Sequence, residues 1–101
     1  MATVTVDFKE KLPYKEFTRA YGRIVAYSGE KVYARDFGFK TIKSLNVTTG
    51  SLNYIVGAEV ASIDTYGNYA HIRISDAGTS GAPVQVGSAN RRTLYFVAVG
   101  E

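Results

Sequence analysis

His71 is the single histidine of the chain, and imidazole is the one side chain that titrates near neutral pH without help from its surroundings. To act as a general base it needs a hydroxyl nucleophile and an orienting carboxylate. Ser75, with Asp64 or Asp76, supplies those groups, though no motif spacing ties them together. In Ala70-His71-Ile72-Arg73-Ile74 the alternation turns His71 away from both isoleucines and sets it beside Tyr69 and Arg73. An exposed or interfacial role is therefore expected in preference to catalysis. Asp36-Phe37-Gly38 spells the magnesium-binding tripeptide of protein kinases, yet the phosphate loop, the catalytic-loop aspartate and the length of a kinase are absent. The tripeptide reads instead as a turn after a strand, with Gly38 where a side chain is not tolerated.

Asp64, Asp76, Glu59 and Glu16 are the carboxylates available for glycoside hydrolysis or a hard cation, but they do not form the dense Asp/Asn ladder of a calcium loop. They read as turn and strand-edge residues. Asn46-Val47-Thr48 matches a glycosylation acceptor, which carries meaning only in a secreted chain. With no cysteine and one histidine, thiolate chemistry, disulfides and a His-pair metal site within one chain are excluded. No catalytic set, cofactor site or metal site is expected, and no small-molecule substrate.

Aromatic and basic residues remain. Eight Tyr and five Phe in 101 residues exceed what a core of this size needs, and tyrosine suits surfaces that dry out on contact. Tyr14, Phe17, Tyr21, Tyr27, Tyr33, Tyr54, Tyr69 and Tyr95 are the candidate interface residues. β-propensity alone also favours tyrosine. Residues 1–43 hold nine Lys/Arg against five Asp/Glu, and residues 44–101 hold three against four. The competing reading is thus a nucleic-acid face on which rings stack bases and cations follow phosphates, built from Arg23, Lys31, Tyr33 and Arg35 with Tyr21 and Tyr27 beside them. Alternation places Lys31, Tyr33 and Arg35 on one strand face.

These side chains must be positioned by strands, because a period of two runs through the chain. Val4, Val6 and Phe8 form one face of an opening strand ending at Lys9-Glu10-Lys11. Tyr14, Phe17 and Tyr21 have helical spacing, so residues 14–20 are expected as a short helical turn or irregular crossing, and residues 1–20 as a strand plus an arm reaching a neighbour. Residues 22–27 and 31–35 read as a hairpin about Ser28-Gly29-Glu30. Ile42, Leu45 and Val47 precede a turn at residues 48–51. A long stretch follows over residues 54–66, with Val56, Val60 and Ile63 inward and Gly57 at a bulge. After a reversal at Tyr66-Gly67-Asn68-Tyr69, residues 70–75 return. Residues 76–83 read as a long Gly-rich loop, Val84-Gln85-Val86 as a short strand, residues 87–92 as a turn and residues 93–99 as an apolar closing strand open to pairing across subunits. The expected fold is one all-β domain over residues 1–101, an antiparallel β-sandwich or barrel of about seven to eight short strands.

Asp36-Phe37-Gly38-Phe39-Lys40-Thr41-Ile42-Lys43-Ser44-Leu45, Asp64-Thr65-Tyr66-Gly67-Asn68 with Tyr69-Ala70-His71-Ile72-Arg73-Ile74, and Leu94-Tyr95-Phe96-Val97-Ala98-Val99-Gly100 resemble segments of small β-rich structural proteins of tailed bacteriophages and related viruses. The resemblance covers residues 36–100. It implies a non-enzymatic head, decoration or tail subunit that binds copies of itself or a capsid or tail protein, and the virion as its destination. No apolar run approaches the roughly 20 residues of a membrane span, and residues 1–7 lack the basic start and apolar block of a signal peptide. Synthesis in the host cytoplasm without membrane association is the corresponding expectation.

Overall fold

A computed structural model describes residues 2–13, 16–49, 55–77, 83–85 and 92–101. Among these, strands β1 (Thr3–Lys11), β2 (Thr18–Ala26), β3 (Lys31–Tyr33), β4 (Ile42–Thr49), β5 (Ile55–Ile63), β6 (Tyr69–Ala77), β7 (Pro83–Gln85) and β8 (Arg92–Gly100) are joined by a single 3-10 turn at Ala34–Phe37. The fold is all-β. One sheet has the order β1-β2-β8-β4, and the other has β3-β6-β5 with β7 also paired to β6. Every pairing is antiparallel.

Alternation builds the core between the two sheets. Ala20, Ile24 and Ala26 of β2 and Leu94, Phe96 and Ala98 of β8 meet Val32 of β3 and Ala70, Ile72 and Ile74 of β6, all buried. Phe37 closes this core from the 3-10 turn, with its ring edge-on to Phe96 at 4.9 Å and stacked on Phe39 at 5.9 Å. Asp36 caps the turn by accepting the Tyr33 amide at 2.8 Å. Gly38 ends it at φ 78°, where a Cβ would also collide with the Lys9 ammonium. The expected loop is therefore a short helical turn, and all three residues of the kinase-like tripeptide are used in forming it.

Bulges occur where inward residues stand three apart instead of two. Ile42 and Leu45 both point inward because the register of β4 shifts between Ile42 and Ser44. A shift between Val60 and Ser62 likewise puts Ile63 opposite Ala70, and another between Ile55 and Gly57 bears out the bulge read at Gly57. Val60 packs against the core, whereas Ile63, at the end of β5, stays 38% exposed; the side chain of Val56 lies outside the described residues. In β1 the shift between Val6 and Phe8 corrects an expectation. Val4 and Val6 pack on the core, but Phe8 turns outward, 58% exposed, and pairs with Tyr21.

Tertiary pairing overturns three further expectations. Residues 22–35 are not a hairpin, since β2 pairs with β1 and β8 while β3 pairs with β6. The reversal is real, with Gly29 at φ 89° and the Glu30 amide donating to the Tyr27 carbonyl at 3.2 Å, but it carries the chain from one sheet to the other. There it fills the gap beside β6 between β3 and β7. Gly29 donates to the Ile72 carbonyl at 2.7 Å, Ile72 donates to the Glu30 carbonyl at 3.0 Å, and Ile74 donates to the buried Ser28 hydroxyl at 3.0 Å. Second, β8 is flanked by β2 and β4, so neither of its edges is open to another subunit. Third, the helical turn does not form over the described part of residues 14–20, because Thr18–Ala20 are already strand and Thr3–Lys11 form the sheet edge. Asp76, Ala77 and Pro83 lie in strands β6 and β7, so the loop read over residues 76–83 is shorter at both ends; its middle, 78–82, lies outside the described residues, as do Val86 of the short strand and residues 87–91 of the turn read over 87–92. Arg92 belongs to β8.

The β5–β6 reversal is held by Asp64. Its carboxylate accepts the amides of Tyr66 and Asn68 at 3.3 and 3.2 Å, and its carbonyl accepts the Gly67 amide at 2.9 Å. Among the described residues, no helix is long and apolar enough to cross a membrane.

Candidate functional site

Each sheet turns one face to the core and one outward, so the candidate residues sort by strand parity onto two outer faces. On the first sheet, Phe8, Tyr21, Val97 and Asn46 lie in register across β1, β2, β8 and β4. The Phe8 and Tyr21 rings sit 5.8 Å apart. Tyr95 occupies the next row beside Arg23, and Tyr95 and Val97 are 48% and 36% exposed. The stripe is flanked by ion pairs. Arg19 donates to Glu10 at 3.0 Å, and the Tyr21 hydroxyl donates to the same carboxylate oxygen at 2.9 Å. Hydrogen bonding and charge from Tyr21, and then Glu10, raise the pKa of the Arg19 guanidinium, a cation at any working pH. On the other side Arg23 forms a two-point contact with Asp7, at 3.2 and 3.3 Å.

The second sheet presents Lys31 and Tyr33 of β3 opposite His71 and Tyr69 of β6. Tyr33 and Tyr69 meet edge to face at 6.2 Å, and Tyr69 and His71 at 5.6 Å. The Lys31 ammonium stands 4.4 Å over the Tyr69 ring, and the Arg35 guanidinium 4.5 Å over Tyr33. Arg35 reaches this face from the 3-10 turn and not, as alternation implied, from the same strand. Further along, Arg73 donates to Glu59 at 3.0 Å.

His71 finds a hydroxyl that sequence reasoning passed over. Its Nδ1 lies 3.3 Å from the Ser62 Oγ, beside an open cleft of about 360 Å³ lined in part by Ser28, Gly29 and Arg73. Ser75 stands further up β6, opposite Gly57 and Gln85. Asp64 is committed to its turn, Glu59 to Arg73 and Asp36 to its cap. The missed signal was the Val60 to Ile63 spacing of three, which marks the bulge that brings Ser62 opposite His71. Among the described residues no carboxylate is hydrogen-bonded to His71, and no three His, Cys, Asp or Glu side chains gather where they could hold a metal ion.

No family model, curated protein or solved structure matches the chain. What can be assigned therefore rests on the two faces. Of the candidate interface residues, Tyr21 and Tyr95 lie on the first face and Tyr33 and Tyr69 on the second. Tyr27 sits at the crossing between sheets, and Phe17, half-buried before β2, accepts the Leu12 amide through its carbonyl at 2.9 Å. Tyr14 and Tyr54 lie outside the described residues. Of the candidate nucleic-acid residues, Lys31, Tyr33 and Arg35 come together, whereas Arg23 is on the other sheet and paired with Asp7. Phe8, Ile63 and Val97 are apolar surface residues that the alternation alone did not pick out as exposed.

Proposed function

We propose that this protein is a non-enzymatic assembly subunit that associates with further copies of itself through the outer face of the first sheet. The observation that carries the reading is the in-register row of Phe8, Tyr21 and Val97 with Tyr95 beside it, large apolar groups left outside a core that is already filled. Exposed apolar groups gathered in one patch, unlike scattered ones, favour association. A second copy fits this face because its rim carries both signs. Glu10 with Arg19 and Asp7 with Arg23 leave no net charge to repel an identical surface, and a two-fold arrangement lets each cation meet the other copy's carboxylate. Four strands at roughly 4.8 Å and about nine residues at roughly 3.3 Å make a face of roughly 600 Å² before side-chain relief is added. That approaches the roughly 800 Å² per partner of a standard interface. The resemblance of residues 36–100 to tailed-phage structural proteins supports a viral particle as the setting of such an assembly.

Light scattering coupled to size exclusion tests the reading. The expected result is an oligomer that persists at high salt and is dispersed to monomer by Phe8→Ser with Val97→Ser, with the far-ultraviolet circular dichroism unchanged. A chain that stays monomeric across the accessible concentration range overturns self-association.

A further inference from the structure

We infer that the outer face of the second sheet binds single-stranded nucleic acid, along a track from Lys31 and Tyr69 to Tyr33, Arg35 and Lys40. Four ion pairs join other cations of the described residues to carboxylates: Arg19 with Glu10, Arg23 with Asp7, Lys43 with Glu101 and Arg73 with Glu59. Lys31, Arg35 and Lys40 take part in none of them. Lys31 and Arg35 rest on tyrosine rings instead, where their charge is held in place but not neutralised. Of the carboxylates beside these cations in sequence, Asp36 faces back to accept the Tyr33 amide and Glu30 accepts the Tyr27 amide, each at 2.8 Å.

The groove between these residues has a volume of about 390 Å³ and is lined by Tyr33, Arg35, Phe39, Lys40, Asn68 and Tyr69. Its chemistry combines what a nucleotide presents. A guanidinium held over a ring, and the rings themselves, are stacking surfaces for bases. The Asn68 amide is exposed and offers both a donor and an acceptor to a base edge. The three cations, Lys31 on β3, Arg35 on the 3-10 turn and Lys40 just before β4, supply the phosphate contacts. An acidic protein segment would use the cations but gain nothing from the rings, so the pairing of cation with aromatic favours the nucleic acid. Because strand parity places this face opposite the apolar stripe, the inference does not depend on the proposed self-association.

The test is fluorescence anisotropy of a short labelled oligothymidylate with the full chain, at low and moderate salt, with polyglutamate as competitor. Binding is expected at low salt, with the logarithm of affinity falling by roughly two for each tenfold rise in salt, as three phosphate contacts on a single strand imply. Tyr33→Ala and Tyr69→Ala should each weaken binding at least roughly fivefold, while Tyr33→Phe and Tyr69→Phe, which keep the ring, retain it and control for folding. No binding at low salt overturns the inference. So does binding that survives loss of both rings or is displaced equally by polyglutamate, a result that would mark the face as a dock for an acidic protein.

Discussion

The hydroxyl of Ser28 accepts the Ile74 amide inside the protein, at a point on β6 where neither β3 nor β7 supplies a partner. A buried amide left without an acceptor costs more than an ordinary hydrogen bond contributes, because desolvation is no longer repaid. Ser28→Ala should therefore lower the unfolding free energy by roughly 1–3 kcal/mol. Ser62→Ala, on an exposed hydroxyl, should stay within about 0.5 kcal/mol. Urea titrations of the two variants check this, and equal midpoints would remove the role given to Ser28. Gly38 was legible from its neighbours as a turn glycine, and its φ of 78° agrees. Ser28 was legible only as a turn former, since its partner lies 46 positions away. Phe8 was misplaced because strict alternation runs it inward, and one extra residue in β1 reverses its face.

Among the elements, β8 shows how an apolar run is to be understood. Its inward residues Leu94, Phe96 and Ala98 are buried, and its outward Tyr95 and Val97 are not, although hydrophobicity hardly distinguishes the two sets. Leu94→Ala removes a fully buried side chain and should cost about 2–5 kcal/mol. Val97→Ala should cost under about 1 kcal/mol. A larger loss at Val97 in chemical denaturation of the dispersed protein would contradict the assignment of its face. The apolar closing strand was read correctly as a strand and wrongly as an open edge. Sequence carries the composition of a strand, but a central strand and a sticky edge share that composition. The turn at Ser28-Gly29-Glu30 has the same ambiguity, for a tight reversal serves a hairpin and a passage between sheets equally well.

For the whole molecule, the two outer faces differ in kind: one is apolar with a balanced rim, the other basic and aromatic. Their separation leads to a prediction about independence. Tyr33→Ala with Tyr69→Ala should leave the solution mass unchanged by light scattering, and a shift to monomer would mean that the second face also holds copies together. The amino-acid sequence by itself determined that this is an all-β chain, where most of its described strands run, that Gly29, Gly38 and Gly67 stand at turns and that aromatic and basic residues exceed the needs of a core. Those properties are local, set by alternation and backbone conformation within a few residues. Only the tertiary structure decided which strands share a sheet, that Arg23 parts from Lys31, Tyr33 and Arg35, and that Ser62 meets His71. Such pairings join residues far apart in the chain through backbone groups that every residue possesses, and the single-residue bulges that turn side chains over become visible only when two strands lie in register.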